Sequence, residues 1–155
     1  MNPFQIAGAP EGIEPFVISA LTAGGSFAEI NLSQDPQLPP DEPRDVIFVA
    51  RDDVHLARVT GLLDFFEPSL EKLIFPAWDC LPYDRVSPRS DITGQRIESL
   101  TRLLNEDTST DQLSGRAVLT TVSAILQRVP PKKSFHTATL GIAVGGQIDP
   151  DRLTG

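Results

Sequence analysis

Residues 46–66 read VIFVARDDVHLARVTGLLDFF. Val46 to Ala50 are continuously apolar and rich in β-branched side chains, the composition of a strand buried on both faces of a parallel sheet. That pattern predicts a central strand. Asp52 and Asp53 then offer N-cap oxygens, and Leu56, Val59, Leu63 and Phe66 recur at i, i+3, i+7 and i+10, one stripe of an amphipathic helix. Pro68 stops it, because proline can neither donate to nor fit within a continuing helix.

The same alternation extends both ways along the chain. Leu73-Ile74-Phe75 is a short strand ended by Pro76, and a proline-studded loop follows to Arg89. Ser90 or Asp91 is placed to cap the next helix, whose inner face is predicted as Ile97, Leu100, Leu103 and Leu104. Ala117 to Thr120 repeats the buried-strand pattern, and Ser123 is placed to cap a short helix through Arg128 that Pro130 and Pro131 end. Phe4 to Ala7 and Thr137 to Val144 read as further strands, with a first helix from Ile13 to Ala23. The polar tracts Ser33 to Pro43 and Asn105 to Ser114 read as connections. Strands alternating with helices imply an α/β fold with an open, mostly parallel sheet and flanking helices. The expected organisation is one domain over residues 1–134, with residues 135–155 opening a second module.

Composition narrows the function classes. Thirteen Lys and Arg against twenty-one Asp and Glu give a net charge of -8 in 155 residues, a field that repels phosphate backbones unless cations cluster locally. No apolar run approaches the roughly 18 residues that a spanning helix needs, and no basic, apolar leader opens the chain, so a cytoplasmic protein without membrane contact is expected. Cys80 is the single cysteine, which rules out an internal disulfide and a multi-thiol zinc site.

Phosphate chemistry is the first candidate. A strand, a glycine-bearing turn from Gly8 to Gly12 and a helix have the topology of a P-loop, which requires G-x-x-x-x-G-K-[ST]. Here the frame falls on Ala7, Gly12, Ile13 and Glu14. Isoleucine cannot neutralise a phosphate, and Glu14 sets a negative charge where the triphosphate would sit. The loop is degenerate, and a plain Gly/Pro turn explains the same residues. An autonomous P-loop or receiver-type phosphate-binding domain is the alternative reading, with Asp52 and Asp53 as an acidic pair for magnesium, although a helix cap accounts for both aspartates.

Other constellations are sparse. His55 and His136 have no cysteine or spaced carboxylates to complete a metal or nucleophile set, and Asp79 and Asp84 fall in a proline-rich loop where carboxylates commonly cap turns. No catalytic residue, metal ligand or cofactor site is assigned. The loop does carry a candidate interaction surface in Trp78, Leu81 and Tyr83 with Arg85 and Arg89, residue types that anchor interfaces and also stack on single-stranded nucleic acid. The competing reading folds Trp78, Leu81 and Pro82 back as a lid over the end of the sheet.

The segment Leu73 to Leu104, with FPAWDCLPYDRVSP followed by DITGQRIESLTRLL, resembles the corresponding region of bacterial transcription-repair coupling factors. The likeness continues through AVLTTVSAILQRVPP, Ala117 to Pro131, and GGQIDPDRL, Gly145 to Leu153. A weaker similarity runs to the excision-repair protein UvrB. The resemblance implies an N-terminal UvrB-like module on a helicase-type α/β fold that has lost its ATPase motifs. It implies a neighbouring module, beginning near Thr137 to Val144, that contacts UvrA. It also implies a far downstream motor that uses ATP and magnesium on double-stranded DNA and contacts RNA polymerase. Within such a protein this chain is expected to be a scaffold without catalysis of its own.

Overall fold

The computed structural model describes residues 10–24, 44–80, 83, 85–104 and 115–132. Within them the order is α1 (Glu14–Thr22), β1 (Val46–Ala50), α2 (Asp53–Phe66), β2 (Lys72–Phe75), α3 (Ser90–Leu104), β3 (Ala117–Thr121) and α4 (Val122–Ile125). The expected strands Phe4 to Ala7 and Thr137 to Val144, both polar tracts, and the boundary near residue 134 lie outside the described residues.

The three strands form one parallel sheet in the order β1-β3-β2. The α/β expectation holds, and among the described residues β3 lies between β1 and β2. The register pairs Phe48 with Leu119 and Ile74 with Leu119, and Ile47 with Val118 and Leu73 with Val118, so strict alternation divides the side chains into two faces. Every residue of β3 is buried, whereas Ile47 is 63% and Val49 40% exposed. Local composition does not encode this order, because it depends on the crossovers.

One face of the sheet carries the main core. Leu56, Val59 and Leu63 of α2 and Ile18 of α1 pack with Ala50, Leu70, Ala117 and Leu119, and Phe48 and Ile74 close against them. Asp52 caps α2 as expected, its Oδ1 accepting from the His55 amide at 2.7 Å. The helix ends at Phe66, ahead of Pro68, and Phe66 itself is exposed.

The opposite face is covered by α3 in an unexpected way. Its buried residues are Arg96 and Ser99, while Leu100, Leu103 and Leu104 are half-buried and Ile97 is exposed, which corrects the predicted inner face at Ile97 and adds two polar residues to it. Ser99 Oγ donates to the Ile74 carbonyl at 2.6 Å and Arg96 Nη1 to the Pro76 carbonyl at 2.5 Å. Neither carbonyl has a strand partner among the described residues, and an acceptor taken partly out of water must be satisfied. The helix starts at Ser90, so Ser90 and Asp91 lie in its first turn, and Asp91 pairs with Arg89 at 2.7 Å. For α4 the cap is Thr121 and not Ser123; its Oγ1 accepts from the Ala124 amide at 3.3 Å.

The chain entries to β1 and β3 converge on the end of α1. The Thr22 carbonyl accepts from both Arg44 N, 3.2 Å, and Gly115 N, 2.7 Å. A Cβ at Gly115 would lie 1.9 Å from the Arg44 carbonyl oxygen, so only glycine fits. Beside this junction Asp45 grips Arg116 through both carboxylate oxygens, Nη2 to Oδ2 at 2.6 Å and Nε to Oδ1 at 3.2 Å.

Candidate functional site

Two places bear on function: the turn before α1, and the loop that leaves β2. In the first, Gly12 has φ +95°, the left-handed conformation that glycine alone adopts without strain. Ile13 is the N-cap of α1, has no side-chain oxygen to offer, and is followed by Glu14 and Pro15. Ala7, the first position of the degenerate frame, lies outside the described residues. Glu14 Oε1 and His55 Nε2 are 3.3 Å apart, joining α1 to α2, and Glu11 pairs with Arg58 in parallel.

The helix N-terminus that would receive an anion is thus already faced by a carboxylate of its own chain. Burial pushes the Glu14 carboxyl up, yet its own backbone amide, His55 and Gly12 outweigh that and hold it below the usual carboxylate range. The charged form therefore prevails at neutral pH, and it opposes a second anion there. Glu14 Oε2 and His55 Nδ1 are buried with no hydrogen-bond partner among the described residues. No group of three or more His, Cys, Asp or Glu capable of holding a metal occurs among the described residues.

The second place is built around Arg96. Its guanidinium lies between two rings, 4.0 Å from the centroid of Phe75 and 4.3 Å from that of Trp78. Gln127, just past α4, ties the arrangement together: its Oε1 accepts from the Trp78 amide at 2.9 Å and from Arg96 Nη1 at 3.1 Å. Burial lowers the Arg96 pKa from the ordinary arginine value, but the cation retains two carbonyl-type acceptors and two π faces. Neither Arg96 nor Gln127 was among the candidate residues. The signal lay in the spacing, because Ile92, Arg96 and Leu100 fall at i, i+4 and i+8 and so place a cation on an otherwise apolar helix stripe.

Of the candidate interaction residues, Trp78 is half-buried, its ring against Arg96 and its amide bonded to Gln127. Tyr83 is 96% exposed, and Arg85 and Arg89 are exposed beside it; Leu81 and Asp84 lie outside the described residues. Arg89 is anchored, its amide donating to Asp79 Oδ1 at 3.3 Å and its guanidinium pairing with Asp91. Trp78, Cys80, Tyr83 and Pro88 form one wall of an open groove of about 650 Å³, with Leu126 and Arg128 opposite. The groove opens beyond the carboxyl ends of β2 and β3, the end at which open α/β sheets place their ligands. Among the described residues no helix is long and apolar enough to cross a membrane.

No family model matches the chain, and no solved structure does. Curated proteins do. A transcription-repair-coupling factor of Rickettsia prowazekii is 32% identical over 71 residues, 46% of this chain and 6% of the relative. That of Rickettsia bellii is 29% identical over 92 residues, covering 59% and 8%, and that of Haemophilus influenzae 29% over 103 residues, covering 66% and 8%. The matched stretch spans well under a tenth of each relative. A substantial part of this chain is therefore related in sequence to a segment of the transcription-repair-coupling factors.

Proposed function

We propose that the chain is a non-catalytic scaffold and interaction module from the N-terminal region of a transcription-repair coupling factor. The observation that carries the absence of catalysis is the Glu14–His55 pair: the one turn with P-loop topology presents a carboxylate, tied to the neighbouring helix, in place of the lysine and hydroxyl that a nucleotide needs. In this reading the module is UvrB-like. ATP and magnesium serve a motor elsewhere in the polypeptide, which translocates on double-stranded DNA, removes stalled RNA polymerase and brings in excision repair, with UvrA contacted through the adjacent module. The groove bounded by Trp78, Tyr83, Leu126 and Arg128 is the surface offered to other domains or partners, since it combines an exposed aromatic, an exposed aliphatic and a cation.

Titration of a fluorescent ATP analogue against the purified chain, with and without magnesium, tests this. The expected result is no saturable change up to millimolar nucleotide. Saturable micromolar binding that vanishes when magnesium is chelated would overturn it.

A further inference from the structure

Helix α2 is apolar on two sides. Leu56, Val59 and Leu63 are buried in the core. At about 100° per residue, Val54, Ala57, Gly61 and Phe65 gather within roughly 80° of arc on the opposite side. All four are exposed, Val54 by 81% and Phe65 by 77%. A surface helix with a single buried stripe carries polar residues on its other face. Here a second apolar stripe stands in their place.

The outer stripe has relief as well as hydrophobicity. Ala57, Gly61 and Phe65 form one i, i+4, i+8 row, low at the first two positions and raised at the third, and a Cβ at Gly61 would meet nothing within 4 Å. Such a row is a groove into which the side-chain ridge of a second helix fits. Phe65 is braced from behind: its ring meets Phe66 edge-on at 5.0 Å, and Phe66 meets Phe16 of α1 at 4.7 Å. The raised end of the stripe is thus an aromatic anchor held by two further rings, a residue type enriched at interface centres.

Charge selects the occupant. Asp53 and Asp64, about three turns apart, border the stripe on its Ala57 side, and both are exposed. Asp52, Asp53, Asp64, Glu67 and Glu71 face only Arg58 within residues 52–71. From outside that stretch Lys72 reaches Asp64 at 3.1 Å and Arg102 reaches Glu71 at 3.5 Å, while Arg58 is drawn to Glu11. Five carboxylates against three cations leave this side of the molecule negative. A second copy would bring the same acids and a net charge of -8, and like charges juxtaposed oppose association. An anionic lipid surface is opposed in the same way. The connecting tracts 25–43 and 105–114 contain no lysine or arginine. The complement to this face is a helix that brings its own cations.

We propose that the outer face of α2 docks a partner's basic amphipathic helix, its apolar stripe seated on Ala57 and Gly61 between Val54 and Phe65 and its lysines or arginines beside Asp53 and Asp64. This face shares no lining residue with the groove at Trp78 and Arg128, and its chemistry does not depend on the family relationship.

The probe is a fluorescein-labelled helical peptide with leucine at i, i+3, i+4 and i+7, flanked by lysine and arginine. It is titrated into the 155-residue chain beside a twin peptide in which glutamate replaces every cation. The expected result is saturable binding of the basic peptide, at least about tenfold tighter than that of the twin, with amide shift changes centred on residues 54–65. Phe65→Ser removes the anchor, and Gly61→Gln fills the groove without deleting any apolar side chain; each is expected to weaken binding by about tenfold or more. Neither should lower the melting temperature of the chain by more than about 3 °C, because both sites are exposed. Equal binding of the two peptides, no saturation at millimolar peptide, or shift changes at Trp78 and Arg128 instead would overturn the proposal. A dimer dispersed by Phe65→Ser would overturn it in favour of a second copy, and preference for phosphatidylserine vesicles over the basic peptide in favour of a membrane. Nuclear Overhauser contacts that bury the Phe65 ring under the chain's own residues would also sink it.

Discussion

The guanidinium carbon of Arg96 stands 4.3 Å from the centre of the Trp78 ring, and both residues bond the same Gln127 oxygen. A helix, a loop and the short α4 segment are thereby joined through one cation. Removing it strips the half-buried Pro76 carbonyl of its donor, leaves the Gln127 oxygen with the Trp78 amide alone, and deprives two rings of their contact. Arg96→Ala is expected to cost about 3 kcal/mol in urea unfolding, the range for breaking a buried polar network. Arg96→Lys should recover less than half of this, because a point charge cannot stack between two rings and bridge Pro76 to Gln127 at once.

Tyr83 and Trp78 share a loop and have opposite fates. Tyr83→Ala is expected to change stability by less than about 0.5 kcal/mol, as for exposed sites generally, while weakening any partner that seats in the groove. Trp78→Ala should destabilise the chain by about 2 kcal/mol or more, with a double-mutant cycle against Arg96 showing strong coupling. Equal destabilisation by both substitutions would contradict the proposal that Tyr83 belongs to a partner surface.

Acid should loosen the Asp45–Arg116 clasp. The hydrogen bond from Arg116 holds the Asp45 carboxyl below its ordinary value. A depressed folded pKa contributes stability above the unfolded value near 4, and that contribution fades as pH falls from about 5 through the folded pKa. Asp45→Asn should therefore flatten the fall in melting temperature between pH 5 and pH 3 relative to the parent chain. An identical acid profile in both proteins would show that the clasp contributes nothing to folding, as many exposed pairs do.

Gly115→Ala is expected to be strongly destabilising, by about 3 kcal/mol or enough to prevent folding, since the new methyl would meet backbone at 1.9 Å and not a movable side chain. Gly61→Ala, where a Cβ meets nothing within 4 Å in an exposed helix, is the control and should stabilise slightly.

Much of the fold was legible because its signals are local. The apolar runs at Val46, Leu73 and Ala117 became strands, and Asp52 became the cap that its position before an apolar stripe implied. Strand order was not legible, since VIFVA and AVLTT look equally buried and only the crossovers decide which lies in the middle. The inner face of α3 was misread at Ile97, and its polar members were missed, for a physical reason. Apolar periodicity favours Ile97, but the end of β2 presents carbonyls, and Ser99 and Arg96 satisfy these better than any aliphatic residue. At the turn before α1, the unsuitability of Ile13 and Glu14 for phosphate could be read from charge alone, whereas the pairing of Glu14 with His55 required the two helices to be brought together.

The shared Thr22 carbonyl has a practical implication for handling this chain. Because Arg44 and Gly115 are fastened at one point beside the end of α1, the tracts leading into them, residues 25–43 and 105–114, begin and end at fixed anchors. Adding residues between two fixed anchors costs only slowly rising closure entropy, about 0.6 kcal/mol per doubling. An affinity tag, a protease site or a spectroscopic label inserted between Gly24 and Arg44 or between Leu104 and Gly115 is therefore expected to leave the strand register undisturbed.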